Sequence, residues 1–338
     1  MRRSHTCGSE VSPTRDAFWF SHDATQTQFH HFMLEWLPQL AYVLATVSLE
    51  NVPRNMTIVV DSKMHSTSFF REAILALGLP LECLTAVAPN SSVCVPQAAR
   101  FLYGEKLVAN FGALSYPAAQ LIRRFHKNLH APRPGLGMYS AAASALVYID
   151  RFDAPAEAHY KRVLTNRAEL AEALMTRGFE QHTVSERSFL SRVRLLSRAR
   201  LVLMQAGSTQ VNMLFTRPHT TVAVIAHPLG ASINWNTLWY SWLCEVASCR
   251  MLMLNNTRLL KRRALEPWQN SYTADLQPLL AQINEIVASV RAPASEVALP
   301  HCKMSCDMVD YHSRSKKPAL LPVDASRLNT CALTCWGS

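Results

Sequence analysis

Residues 200–228 read RLVLMQAGSTQVNMLFTRPHTTVAVIAHP. The apolar, β-branched run up to Gln205 predicts a buried strand. Gly207 breaks it, and Ser208 opens a stretch with apolar residues at helical spacing that stops at Pro218. TTVAVIAHP (220–228) then predicts a second strand. Strand, short turn, helix and strand form the repeating unit of a parallel sheet covered by helices. The turn carries its own chemistry. A strand ending at Gln205 and a helix starting near Ser208 leave free backbone N–H groups at the helix N-terminus, where the dipole favours negative charge. Gly207 allows a ligand close to the backbone, and Ser208 and Thr209 can cap the helix or donate to an oxygen. Such residues serve either as a tight turn with a cap or as a phosphate cradle.

The same alternation extends outward on both sides. ALVYID (145–150) predicts a strand, NRAELAEALMTRGF (166–179) a helix ending at Gly178, and EQHTV (180–184) a strand. SERSFLSRVRLLSRA (185–199) predicts a helix capped by Ser185, with Phe189, Val193 and Leu196 on one face. RMLML (250–254) is a further strand. ADLQPLLAQINEIVASVRA (274–292) puts Leu276, Leu279, Leu280, Ile283, Ile286, Val287 and Val290 on one stripe, the pattern of an amphipathic packing helix. The first half of the chain alternates in the same way. MTIVVD (56–61), LECLTAV (81–87) and EKLVANF (105–111) read as strands. SFFREAILALGLP (68–80) and PAAQLIRRFHKNLH (117–130) read as helices, and FHHFMLEWLPQLAYVLATV (29–47) has helical spacing interrupted by Pro38. Between the halves, APRPGLGMYSAAASA (131–145) has linker composition.

A chain of 338 residues exceeds one small core, and a hydrophobic share of 49% against 17% charged excludes the disordered class. The net charge of +10 suits an anionic ligand or surface. The basic residues are scattered, without an aromatic-interleaved stripe, so nucleic acid is not the expected partner. No apolar stretch reaches the length of a membrane span. MRRSHTCGSE has a basic start but no apolar core after it, so membrane association is expected only through a segment absent from this chain. Three sequons, at Asn55, Asn90 and Asn255, would be glycan acceptors in a secretory lumen, although singly each means little. Of nine cysteines, Cys302, Cys306, Cys331 and Cys335 form paired C-x3-C motifs near the C-terminus. That pattern fits disulfides in an oxidising compartment, a zinc site with His301 and His312 near, or free thiols. Sequons and tail cysteines together point to the secretory lumen.

Arg151 follows the strand ALVYID, at the carboxyl edge where parallel sheets bind ligands. Lys161 and Arg162 precede the next helix and could reach a pyrophosphate, or form a solvated basic face. In this context YIDRFDAPAEAHYKRVLTNRAELAEALMTRGFE, followed by the 200–225 stretch, resembles the catalytic domain of the family 61 glycosyltransferases. Arg151, Arg162, Asn166, Gly207, Asn212 and Phe215 stand at matching positions. FHHFMLEWLPQL similarly resembles the family's N-terminal element on His31, Glu35, Leu37 and Pro38. The chain departs from the family pattern at Gln28, Gln39, Arg167 and Ala206.

The resemblance implies a GT-B-like α/β fold, with two Rossmann-type doubly wound domains facing across a cleft. The expected division is 1–135 for an acceptor-side domain, 136–295 for a nucleotide-sugar-binding domain and 296–338 for a cysteine-containing tail. It implies an inverting, metal-independent transferase that moves a sugar from a UDP-sugar, UDP-GlcNAc or UDP-xylose, to a glycan or glycoprotein hydroxyl in the Golgi or ER. The nucleotide sugar is then a co-substrate, with no cofactor. The absence of an Asp-x-Asp pair agrees with leaving-group charge being met by cations and a helix dipole. The expected donor site is Arg151, Arg162, Gly207, Ser208, Thr209 and Asn212, with Asn212 either a ligand or a pin for the turn. His31 and Glu35, four apart, are the candidate base pair for the acceptor, or else a structural hydrogen bond. Two other classes compete: a catalytically inactive relative that binds nucleotide sugar or glycan, and a dinucleotide enzyme. The last lacks G-x-G-x-x-G after any predicted strand.

Overall fold

The computed structural model describes residues 16–19, 29, 32–33, 37, 40, 56–88, 101–103, 123–128, 130, 143–150, 163–184, 188–228, 243–244, 246–260, 271–291, 301–305 and 332–336. Two parallel sheets dominate them. The first contains β1 (Asp16–Trp19), β2 (Met56–Asp61), β3 (Leu84–Val87) and β4 (Phe101–Tyr103) in the order β3-β2-β1-β4. Helices α1 (Ser62–Ser66) and α2 (Ser68–Ala76) follow β2. Asp61 ends β2 and caps α1, its carboxylate accepting from the Lys63 N–H at 2.7 Å. Gly78 closes α2 at φ 84°, a left-handed conformation that glycine adopts without a Cβ penalty.

The second sheet contains β5 (Ala145–Asp150), β6 (Phe179–Thr183), β7 (Ala199–Gln205), β8 (Thr221–Ile225) and β9 (Arg250–Leu254), all parallel, in the order β6-β5-β7-β8-β9. Helix α3 (Arg167–Met175) joins β5 to β6, α4 (Phe189–Ser197) joins β6 to β7, and a 3₁₀ helix (Ser208–Phe215) joins β7 to β8. An antiparallel pair, β10 (Thr257–Leu259) with β11 (Tyr272–Ala274), leads to α5 (Leu276–Arg291). A last antiparallel pair, β12 (His301–Ser305) with β13 (Ala332–Trp336), sets Cys302 opposite Cys335 in its register.

The period of two along a strand sorts the second sheet's side chains onto two faces. Leu146, Tyr148, Leu201, Leu203, Ala223 and Ile225 share a core with Leu170 and Leu174 of α3 and with Leu279, Ile283, Val287 and Val290 of α5. The stripe predicted for α5 is thus the face it buries. Val147, Ile149, Val202, Met204, Val222 and Val224 point the other way. Their core is continuous with Ile58, Val60, Phe70 and Ile74 of the first sheet and its helix. Burial on both faces explains why these strands read as near-continuous apolar runs.

The α/β class and the parallel sheet expected from the alternation are present. Three local expectations change. Of LECLTAV, expected as one strand, Leu81–Cys83 form a 3₁₀ turn after Pro80 and only Leu84–Val87 are strand. Ser188, not Ser185, caps α4: its hydroxyl accepts from the Ser191 N–H at 3.2 Å, and the helix starts at Phe189. The segment after Gly207 is 3₁₀ rather than α. The Asn212 and Thr209 side chains bond locally to backbone carbonyls that an α ladder would use, which favours the tighter helix. The strand expected at 105–111 and the linker up to 142 lie outside the described residues.

Candidate functional site

Numbered within its own half, the second sheet has the order 2-1-3-4-5. In such a sheet the chain leaves the first strand in one direction and the third in the other, and a crevice opens between their carboxyl ends. Here those ends are Asp150 and Gln205. The Ala206 N–H still bonds the Ile225 carbonyl at 2.9 Å, extending the ladder with β8 by one residue. The chain then turns at Gly207, with φ 128° and ψ −151°, a region essentially closed to residues with a Cβ. Replacing Gly207 by valine should therefore lower stability by about 1–3 kcal/mol, checked by denaturant melts of the two proteins.

The turn is held by its own side chains. The Gly207 N–H donates to the Gln210 carboxamide oxygen at 2.8 Å, and the Gln210 N–H donates back to the Gly207 carbonyl at 3.0 Å. The Thr209 hydroxyl donates to the Gln205 carbonyl at 2.7 Å. The Asn212 amide donates to the Thr209 carbonyl, also at 2.7 Å. Of the expected donor groups, the Gly207 N–H and the Thr209 hydroxyl are thus already engaged, and Asn212 pins the turn. The Ser208 and Thr209 N–H groups have no backbone partner among the described residues, and Ser208 alone in this turn is partly exposed. The Gln210 Nε2 and the Asn212 Oδ1 are buried with no hydrogen-bond partner among the described residues. Buried polar atoms without a partner are few in native folds.

Sequence reasoning passed over a polar network directly beneath this turn. Asp150 is 2% exposed, and its two carboxylate oxygens accept from Gln181 Nε2 at 3.0 Å and Gln205 Nε2 at 3.2 Å. Gln205 also lies 3.3 Å from the Tyr148 hydroxyl. Burial, and then the neighbouring Asp150 charge, push the Tyr148 hydroxyl's pKa far above its usual value, so it stays protonated while it accepts from Gln205. Three adjacent strands thereby lock the carboxyl end of β7, from which the turn springs. A polar residue ending each of two apolar runs, Asp150 and Gln205, was the available signal; Gln181, mid-strand in the polar FEQHT, gave none.

Beyond the turn, the 3₁₀ helix ends against the first half of the chain. Phe215 stacks on Phe29 at 6.1 Å and meets Phe189 edge-on at 4.9 Å. The guanidinium of Arg192 lies 4.1 Å from the centre of the Phe29 ring, a cation–π geometry. Phe32, Met33, Leu37 and Leu40 are fully buried in the same core. The apolar positions flanking His31 and Glu35 in sequence therefore belong to the core that carries the helix of the 207–209 turn. Glu72 of α2 adds a polar tie, accepting from the Leu190 N–H at 2.9 Å. His31, Glu35, Arg151 and Arg162 themselves lie outside the described residues. Among the described residues no three His, Cys, Asp or Glu side chains cluster as metal ligands.

A family model described as glycosyltransferase 61 matches residues 29–223, more than half of the chain. The chain belongs to glycosyltransferase family 61. The match runs from Phe29 into β8 and includes Tyr148, Asp150, Gln181, Gln205 and the turn at Gly207. It also takes in the FHHFMLEWLPQL element and all but the last two residues of the stretch from Tyr148 to Ile225. A search of curated proteins finds no match for this family member.

Proposed function

We propose that this glycosyltransferase moves a sugar from a UDP-sugar, UDP-GlcNAc or UDP-xylose, to a protein or polysaccharide hydroxyl, with inversion and without a metal. The observation that carries the reading is the crevice at the switch point, bounded by the end of β5 and by the Gly207 turn, whose Ser208 and Thr209 N–H groups have no backbone partner among the described residues. Arg151 follows β5 immediately, and Arg162 precedes the segment that leads into α3. These are the two places from which guanidinium groups would meet a diphosphate. Residues 136–295 would then bind the donor and 1–135 the acceptor, with a cleft between them in the GT-B manner.

In the proposed reaction the acceptor oxygen attacks the anomeric carbon from the face opposite the diphosphate. A carbon–oxygen bond forms as the bond to the diphosphate breaks, and its electron pair leaves with UDP. The acceptor proton passes to a base, for which His31 and Glu35 are the candidates. Charge developing on the leaving phosphoryl oxygen is met by Arg151, Arg162 and the Ser208 and Thr209 N–H groups. The Cys244–Cys249 disulfide supports an oxidising compartment, in line with the secretory lumen.

Arg151→Ala should weaken UDP binding by about 1–3 kcal/mol, the scale of a charge-assisted hydrogen bond. Calorimetric titration of the two proteins measures it. Unchanged affinity in a folded variant would remove the donor site from this crevice. A donor panel followed by mass spectrometry then identifies the sugar transferred, and UDP binding with no transfer from any donor would indicate an inactive relative.

A further inference from the structure

The sequon Asn255-Asn256-Thr257 sits where β9 ends, and its three residues are treated very differently by the fold. Thr257 is tied to the neighbouring strand end, its hydroxyl donating to the Ala226 carbonyl at 2.8 Å. Asn256 is tied to α5 by a hydrogen bond, its side-chain amide donating to the Gln282 Oε1 at 2.6 Å, and its carbonyl accepts from the Asp275 N–H at 2.9 Å. Asn255 uses only its backbone, the carbonyl accepting from the Thr257 N–H at 2.8 Å. Its carboxamide is exposed and makes no hydrogen bond among the described residues. The Cys244–Cys249 disulfide closes the loop that enters this same strand. One residue after that loop, β9 begins as an edge strand of the second sheet.

We propose that Asn255 is an N-glycan acceptor, and that its glycan stands on the carboxyl-end rim of the second sheet beside β9, its last strand among the described residues. This inference goes beyond the transferase reading and does not depend on it. A lipid-linked pyrophosphate oligosaccharide is the co-reactant. Its anomeric carbon–oxygen bond breaks as a carbon–nitrogen bond forms to Nδ2 of Asn255. One amide proton is lost, and the pyrophosphate leaves with the bonding pair. The Thr257 hydroxyl, which the sequon requires, is engaged with Ala226 in the finished fold. Modification therefore precedes docking of the 255–257 turn onto the end of β8. The finished fold leaves an outward-facing asparagine two strand positions from the Gly207 turn, about 10 Å along the sheet. A glycan there stands beside a strand edge that has no partner among the described residues, where sheets otherwise risk pairing with other chains, and leaves the crevice at β5 and β7 open.

The test is to express the full chain behind a secretory leader in glycosylation-competent cells. The membrane-enclosed fraction is treated with peptide-N-glycosidase in heavy-oxygen water, and peptides are sequenced by mass spectrometry. Conversion of Asn255 to heavy-oxygen aspartate is the expected result, with an electrophoretic shift of one glycan lost in Asn255→Gln and Thr257→Ala but kept in Thr257→Ser. An unmarked Asn255 overturns the proposal, whether or not Asn55 and Asn90 are marked. UDP titration of the same preparations separates the two readings: Asn255→Gln should bind UDP like the parent, and a parent that fails to bind UDP leaves the glycan result standing.

Discussion

His31→Ala and Glu35→Ala should each lower turnover by about 10²- to 10⁴-fold, the usual contribution of a positioned general base, while UDP binds nearly as tightly as before. The asymmetry is what identifies the role. A base acts on the acceptor proton in the transition state and does not touch the nucleotide, so its removal appears in the chemical step. The structural alternative makes a different prediction. Phe29, Phe32, Met33 and Leu37 surround these positions in sequence and are packed with Phe69, Phe70 and Phe215. If the His31–Glu35 pair only stabilises that packing, both variants should lose thermal stability and activity together. Since Phe29 contacts Phe215 at the end of the 3₁₀ helix, such a loss would also loosen UDP binding. Turnover, UDP affinity and melting temperature measured on the same preparations decide between the two.

The sheet that positions the site was legible because its strands are buried on both faces. ALVYID and RLVLMQ carry almost no polar residue until their last positions, and both strands end where the reading placed them. The turn at Gly207 was legible for a similar reason, since only glycine accepts its backbone angles. What occupies the turn's donors was not. The Gln210 bond to Gly207, and the Asn212 and Thr209 bonds to carbonyls, depend on a 3₁₀ winding that helical spacing alone does not distinguish from an α-helix. The Asp150–Gln181–Gln205 network depends on strand register. Gln181 and Gln205 approach Asp150 because β6 and β7 flank β5, an order that no local pattern encodes. The Phe29–Phe215 contact joins residues from opposite ends of the family match, through packing rather than sequence proximity.

Acidification should destabilise the fold by about 3 kcal/mol through His130 alone, with His126 adding to it. The two rings meet edge-to-face at 4.7 Å, and the His126 Nε2–H donates to the Thr216 carbonyl at 2.8 Å, just past the end of the 3₁₀ helix. Burial is the main cause that lowers both pKa values. For His130 the His126 and Arg217 charges lower it further, to about 4. In the unfolded chain both would titrate near 6.5. Between these values the unfolded state binds more protons than the folded one, so stability falls as pH falls. The contribution is fully present above pH 6.5 and is lost progressively as pH drops through the window towards 4. Denaturant melts at a series of pH values measure the slope. His130→Phe removes one titrating ring and should flatten it; an unchanged slope would place the acid sensitivity elsewhere. Because Thr216 caps the helix that begins at the Gly207 turn, UDP affinity should weaken over the same window in the parent and less in His130→Phe. A protein whose melting responds to acid while its UDP affinity does not would show that the histidine pair holds the two halves together without bearing on the crevice.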